Sequence, residues 1–288
     1  MLAGLLFTLG FSTEIDEENQ PARTHEFRAE KTKAKNIDDT INKLAPEGWM
    51  PAFILDDELR KRVIFRRSLN PDRVVTTLEY SARTVDGMMK QLQDVVNEEA
   101  EQGWMPLFIF DDMFKQRIIF TRDKVNPNAE AEYMKLIVDE SRHLDDAFNH
   151  HGSNGWEPKF IIEYGERYHV LFRRKKNVEH QPKRYRAIKT FGTSLIDNTY
   201  DDMAAEGWQP IMTFQDKDDY RMLFVEHPNA NRLEYFAERV TKIKHIDDSF
   251  ARRNANNWYP IFVFQFEADK TLFTEEEQFR LLFTRVKS

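Results

Sequence analysis

Short apolar runs separated by polar stretches recur along the chain, and aligning them on their hydrophobic positions brings out one arrangement five times. In each copy an apolar residue two places after a proline (Phe53, Phe108, Phe160, Met212, Phe262) opens a run such as Phe53-Ile54-Leu55 or Phe108-Ile109-Phe110, the length of a buried strand. A polar stretch follows, Asp56 to Arg62 in the first copy, and reads as a hairpin tip. A second apolar triplet then ends in phenylalanine: Val63-Ile64-Phe65, Ile118-Ile119-Phe120, Val170-Leu171-Phe172, Met222-Leu223-Phe224 and Leu281-Leu282-Phe283. The proline-to-phenylalanine distance is 14 residues in four copies and 23 in the fifth, so the pattern predicts a hairpin of fixed register with one extended member.

Upstream, an aromatic in an alternating segment (Phe27, Tyr80, Tyr133, Tyr185, Tyr235) predicts a further strand. Between it and the proline, apolar residues fall at helical spacing, as in Ile37, Ile41, Leu44, Ala45 and Ile196, Tyr200, Met203, Ala204. The expected fold is α+β: five tandem β-α-β-β repeats of about 50 residues, in antiparallel sheets with helices on one face. Modules are expected at 22–70, 71–124, 125–177, 178–228 and 229–288, after an N-terminal segment 1–21. In the second module the acid Asp86 comes early and Met88-Met89, Leu92, Val95 and Val96 continue a helical pattern. A helix longer by about two turns is expected there. A module this small buries too little apolar surface to offset its conformational entropy alone, so modules are expected to pack on one another.

Every tryptophan (Trp49, Trp104, Trp156, Trp208, Trp258) lies in the repeat signature, Gly-Trp-x-Pro in four copies and Asn257-Trp258-Tyr259-Pro260 in the fifth. Successive tryptophans are 55, 52, 52 and 50 residues apart. Glycine before the tryptophan suits a left-handed position that ends a helix, and asparagine is the usual substitute there. Proline lacks an amide hydrogen and fits a strand start or edge. The tryptophan is expected to plug the core beneath the helix. Acids eleven residues before it (Asp38, Asp145, Asp197, Asp247) sit near helix starts, where they favour the dipole and can satisfy free amides.

Composition sets outer limits. Hydrophobic residues make up 41% of the chain with 23 phenylalanines, enough for real cores, and the net charge of −7 has the wrong sign for a generic nucleic-acid binder. The absence of cysteine excludes disulfides and thiolate zinc sites. Met1 to Phe11, including Leu5, Leu6 and Phe7, is apolar but lacks a basic start and is too short to span a bilayer. It either packs back on the body or forms an arm that docks on a partner.

No glycine-rich phosphate loop, nucleophile elbow or two-histidine metal helix is present, and no cofactor or metal is expected. Arg62, Arg117, Arg221 and Arg280 recur before the second strand of the hairpin and face acids of their own hairpins, which predicts cross-strand ion pairs; at a surface each would be worth about 0–1 kcal/mol. Arg173, Arg174, Lys175, Lys176, Lys183, Arg184 and Arg186 form a basic stretch that could meet phosphate or an acidic partner, or simply be solvated.

A tyrosine-bearing first strand, a helix ending in Glu47-Gly48-Trp49 or Glu206-Gly207-Trp208, and a closing strand ending in Phe65-Arg66-Arg67 or Phe172-Arg173-Arg174 resemble the small bacterial and phage modules classed as a domain of unknown function with an EGW signature. That resemblance implies a strand-helix-strand-strand fold and brings no catalytic residues.

Departures from the repeat are where function is sought. The extended fifth hairpin places Leu272 and Phe273 among acids that include Glu275 and Glu276, the composition of a docking tip or of a cap on the last module. The expected function is a non-enzymatic scaffold that binds a protein partner or itself, cytoplasmic or part of a virion, with no membrane span and with nucleic acid not expected. The alternative is a binder of small anionic ligands such as nucleotides, held between modules by Arg62, Arg117, Arg221 and Arg280.

Overall fold

The structure, a computed structural model, describes residues 25–57, 59–86, 91–112, 115–125, 131–164, 167–190, 196–216, 219–267 and 277–287. Strand, helix, strand and strand follow in that order throughout. The first set is β1 (His25–Thr32), α1 (Ile37–Leu44), β2 (Met50–Asp57) and β3 (Arg60–Ser68). Then come β4 (Leu78–Asp86), α2 (Leu92–Glu101), β5 (Met105–Asp112) and β6 (Lys115–Asp123), and after them β7 (Ala131–Val138), α3 (Leu144–Gly152), β8 (Glu157–Tyr164) and β9 (Arg167–Lys175). The fourth set is β10 (Tyr185–Thr190), α4 (Ile196–Ala205), β11 (Trp208–Asp216) and β12 (Asp219–Glu226); the fifth is β13 (Leu233–Val240), α5 (Ile246–Asn254), β14 (Tyr259–Glu267) and β15 (Glu277–Val286).

The architecture is α+β, with five three-stranded sheets in the orders β1-β3-β2, β4-β6-β5, β7-β9-β8, β10-β12-β11 and β13-β15-β14. The last strand of each set is therefore central. This explains its unbroken apolar triplet, since a strand covered on both faces has no reason to alternate. Val63, Ile64 and Phe65 are all fully buried, as are their counterparts in the other sheets. The proline-bearing strand lies at an edge, where its missing amide leaves no ladder bond unmade. Directly after the proline the register shifts by one residue, at Pro51/Phe53, Pro106/Phe108, Pro158/Phe160 and Pro260/Phe262, so one extra residue forms a bulge.

Gly48, Gly103, Gly155 and Gly207 have φ of 82°, 83°, 77° and 89°, and Asn257 has φ of 63°. The left-handed helix stop read from the sequence is present in all five sets.

Two expectations are corrected. Within the polar stretch from Asp56 to Arg62 the tip is shorter than expected: Asp56 and Asp57 still belong to β2 and Arg60 to Arg62 already belong to β3, pairing out to Asp57 opposite Arg60, because these side chains exchange ion pairs along the ladder. The second helix is not lengthened. Asp86 ends β4 and α2 has ten residues, the same as α4, because Arg83, Thr84 and Val85 continue their pairing with β6 through Asp86 opposite Lys115.

The chain divides into two compact units. One holds the β4-β6-β5, β7-β9-β8 and β10-β12-β11 strands from residues 77–190 and 210–226, with α2 and α3. The other holds the β1-β3-β2 and β13-β15-β14 sheets with α1, α4 and α5.

Candidate functional site

Within each unit, polar side chains of a helix bind the main chain of the following set's first strand. On α2, Asn97 takes both ends of Tyr133 on β7: its Oδ1 accepts from the Tyr133 amide at 3.0 Å and its Nδ2 donates to the Tyr133 carbonyl at 3.1 Å. One turn earlier, Gln93 Oε1 accepts from the Lys135 amide at 2.7 Å. On α3, Asn149 makes the same pair with Tyr185 of β10 at 2.8 and 2.9 Å, and Asp145 accepts from the Ala187 amide at 2.7 Å. In the other unit, Asp201 of α4 accepts from the Tyr235 amide of β13 at 3.1 Å.

These first strands are sheet edges, whose outward amides and carbonyls would otherwise need water or another chain. A carboxamide presents one acceptor and one donor, and so stands in for the residue of a missing neighbouring strand. Helical geometry places residues four apart on one face, and β geometry places residues two apart on one edge; the two spacings coincide here. Apolar contacts fill in around the joint. Phe148 of α3 lies between Phe172 of its own sheet and Tyr185, at centroid distances of 6.2 and 6.4 Å.

Where α5 meets β1, Ala251 stands in place of the asparagine. The joint there is made by rings, Phe250 packing 5.2 Å from Phe27 and 5.5 Å from Phe53, and by Asn254 donating to the His25 carbonyl. Asp247 occupies the place of Asp145, but its Oδ1 is buried without a hydrogen-bond partner among the described residues. Burial pushes the Asp247 carboxyl above the usual carboxylate range despite the charge of Arg62 nearby.

The paired aspartates lie in the first helical turn, as the sequence reading placed them. The first acid of α3, Asp145, also reaches the next strand.

The tryptophans are corrected too. Trp49 is buried, whereas Trp104, Trp156, Trp208 and Trp258 are only part-buried. In four sets an arginine from the end of the central strand covers the ring: Arg67, Arg122, Arg174 and Arg285 stand 4.6, 4.3, 4.4 and 4.3 Å from the ring centroids of Trp49, Trp104, Trp156 and Trp258. Each arginine is held by a glutamate of the first strand: Glu26 at 2.6 Å, Glu79 at 2.8 Å, Glu132 at 2.7 Å, and Glu234. Arg67 and Arg122 also donate to the helix-end carbonyls of Glu47 and Gln102. The indole is therefore a platform between the core and a cation that closes the helix C-terminus. In the fourth set the charges exchange places, with Arg184 just before β10 bonding Glu226 on β12.

Three of the four recurrent hairpin arginines form the expected ion pairs: Arg62 with Asp57 at 3.1 Å, Arg117 with Asp112 at 3.0 Å, and Arg221 with Asp216 at 2.6 Å. They are not at the surface, since the side chains of Arg221 and Asp216 are only 16% and 4% exposed. Asp216 also accepts from the Tyr168 phenol, and Arg221 donates to Ser141 Oγ at 3.2 Å. Burial disfavours the Asp216 charge, but the bonds from Tyr168 and Arg221 outweigh it and hold the carboxyl below its usual range. In the third set, Tyr164 and His169 replace the acid and the arginine and meet edge to face at 6.0 Å. Arg280 lies opposite Phe264 and Arg239 in its sheet.

Of the basic stretch, Arg174 is engaged with Trp156 and Glu132, Lys183 with Glu157, and Arg184 with Glu226. Lys175, Lys176 and Arg186 are exposed, while Arg173 is part-buried on β9. Leu5, Leu6, Phe7, Leu272, Phe273, Glu275 and Glu276 lie outside the described residues.

No helix among the described residues is long and apolar enough to cross a membrane, and these residues hold no group of three or more potential metal ligands. Set against known proteins, the chain matches no family model, no curated protein and no solved structure.

Proposed function

We propose that this chain is a non-enzymatic scaffold of five β-α-β-β modules, with helices on one side of each sheet, that works by binding another protein or copies of itself. A structural place in a bacterial or phage assembly, in the cytoplasm or the virion, fits the EGW resemblance. The observation that carries the reading is the use of the recurrent polar side chains. Asn97, Asn149 and Asp201 are committed to joining one set of elements to the next. The arginines that a nucleotide-like ligand would need, Arg62, Arg117 and Arg221, are already occupied by aspartates in part-buried pairs, which weighs against the ligand-binding alternative. Joints built from the repeat itself leave departures such as the fifth hairpin free to carry specificity.

Native mass spectrometry of protein gently purified from cells tests the proposal. A defined homo-oligomer or a co-purifying protein is the expected result, and deletion of Leu272 to Glu276 should then release the partner while the chain stays folded. A retained mass of a few hundred daltons, lost on denaturation, on a monomer with no partner protein would replace the scaffold with a ligand binder.

A further inference from the structure

At two positions that the sheet brings together, the third set alone carries a cation at both. Arg173 on β9 pairs in register with Tyr133 of β7 on one side and Glu157 of β8 on the other. At the place of Arg173 the other sets have Arg66, Thr121, Val225 and Thr284. Two residues beyond Glu157, the bulge after Pro158 carries Lys159, where the others have Ala52, Leu107, Ile211 and Ile261. Only the third set has both cations.

Their surroundings offer little to neutralise them. Glu157 is engaged by Lys183, and among the described residues neither Arg173 nor Lys159 forms an ion pair. The one partner of the Arg173 guanidinium there is the Met105 sulfur, 3.8 Å from Nη2, while its Nε is buried and makes no hydrogen bond. Among the described residues the Tyr133 phenol oxygen is likewise buried with no hydrogen-bond partner. Burial pulls the part-buried Lys159 down to about 8, and the Arg173 charge adds to the effect, while the Glu157 charge partly opposes it. Burial also pushes the Tyr133 phenol up to about 12, although Arg173 partly opposes this. Buried donors without acceptors cost stability, and two adjacent cations repel one another. An oxyanion relieves both.

We propose that Arg173, Lys159 and Tyr133 form an anion site that takes a phosphate group, free or on a small monoester. Two positive charges match the near-dianionic charge of a phosphate at neutral pH. The guanidinium fork, the ammonium and the phenol supply the directed donors that its oxygens accept. This site is separate from the hairpin arginines, which are occupied, and it is compatible with a scaffold that fixes one anion per chain.

The full-length protein is titrated with inorganic phosphate by calorimetry at low ionic strength, then with glycerol 2-phosphate. Lys159→Leu and Arg173→Thr place in the third set the residues that Leu107 and Thr121 already hold in a folded counterpart, so both variants should fold. Expected is one saturable site per chain, weakened about tenfold or more by either substitution and less by Tyr133→Phe. Tighter binding of glycerol 2-phosphate identifies a monoester as the ligand, and binding of phosphate alone identifies the free anion. Absence of saturation below about 10 mM, or saturation that both variants leave unchanged, overturns the assignment.

Discussion

Asn149 grips the main chain of Tyr185 at both ends, accepting from its amide at 2.8 Å and donating to its carbonyl at 2.9 Å. The Tyr185 side chain is buried and its strand is a sheet edge, so water is a poor substitute for the carboxamide. Asn149→Ala should cost about 1–3 kcal/mol, the penalty for stranding part-buried backbone groups. Asn149→Asp keeps the acceptor, as Asp201 does toward Tyr235, and should cost less. Urea unfolding gives the magnitudes, and hydrogen exchange at the Tyr185 amide localises them. Unchanged exchange protection in the alanine variant would mean that the joint is held by ring packing alone.

Gly207 and Gly152 separate two reasons for having glycine. A Cβ on Gly207 would meet nothing closer than the His227 carbonyl at 3.9 Å, so Gly207→Ala isolates the cost of φ +89°. That cost should be about 1–2 kcal/mol. Gly152 lacks a positive φ, but its Cβ would fall 2.5 Å from the Lys183 carbonyl oxygen and 2.6 Å from the Tyr185 ring. Gly152→Ala must therefore push α3 and β10 apart, and should cost more than Gly207→Ala in the same melts. The reverse order would show that the helix end yields more easily than the backbone dihedral.

Arg221 and Asp216 are buried enough that breaking their pair differs from losing a surface ion pair. Arg221→Met should cost about 3 kcal/mol, because it leaves a carboxylate with little water around it. Asp216→Asn combined with Arg221→Met removes both charges and should restore more than half of the loss. Chemical denaturation of the single and double variants provides the comparison, and a single-variant cost of about 1 kcal/mol or less would return the pair to surface status.

Much of the architecture was legible because it rests on local constraints. The left-handed stop at Gly48 or Asn257, the two-sided burial of Val63-Ile64-Phe65 and the edge position of Pro51 each follow from what one residue type can do. The joints were not legible in the same way, since Asn97 and Asn149 find their partners 36 residues downstream, in another sheet. A signal did exist. Position seven before the tryptophan reads Asn42, Asn97, Asn149, Asp201 and Ala251, and position eleven reads Asp38, Gln93, Asp145, Asp197 and Asp247. A pattern of acids alone skips Gln93, whose carboxamide accepts the same amide bond as a carboxylate, and points to Asp86 for the start of α2. The arginine over each ring was equally countable, eighteen residues after Trp49, Trp104 and Trp156, but a tryptophan in a repeat invites a core reading until the exposure of its face is known.

Asp247 makes the joint between α5 and β1 sensitive to pH. Its Oδ1 is buried without a hydrogen-bond partner among the described residues, and burial raises its folded pKa above the unfolded value, against a hydrogen bond from its own backbone amide and the pull of Arg62, and with the push of Asp248. For an acid shifted upward, the fold favours the protonated form. The associated stability is therefore fully present below the ordinary aspartate value of about 3.9 and is lost as pH rises through the folded pKa. Asp247→Asn keeps the shape without the charge. It should match the wild type at the acid end and become the more stable of the two above the folded pKa. The difference between the two proteins is the quantity to follow, because groups such as Asp216, shifted downward, impose the opposite slope on both. Thermal melts of the pair across this range would show a gap that opens with rising pH. A constant gap, or a variant less stable at neutral pH, would mean that Arg62 already compensates the Asp247 charge in full.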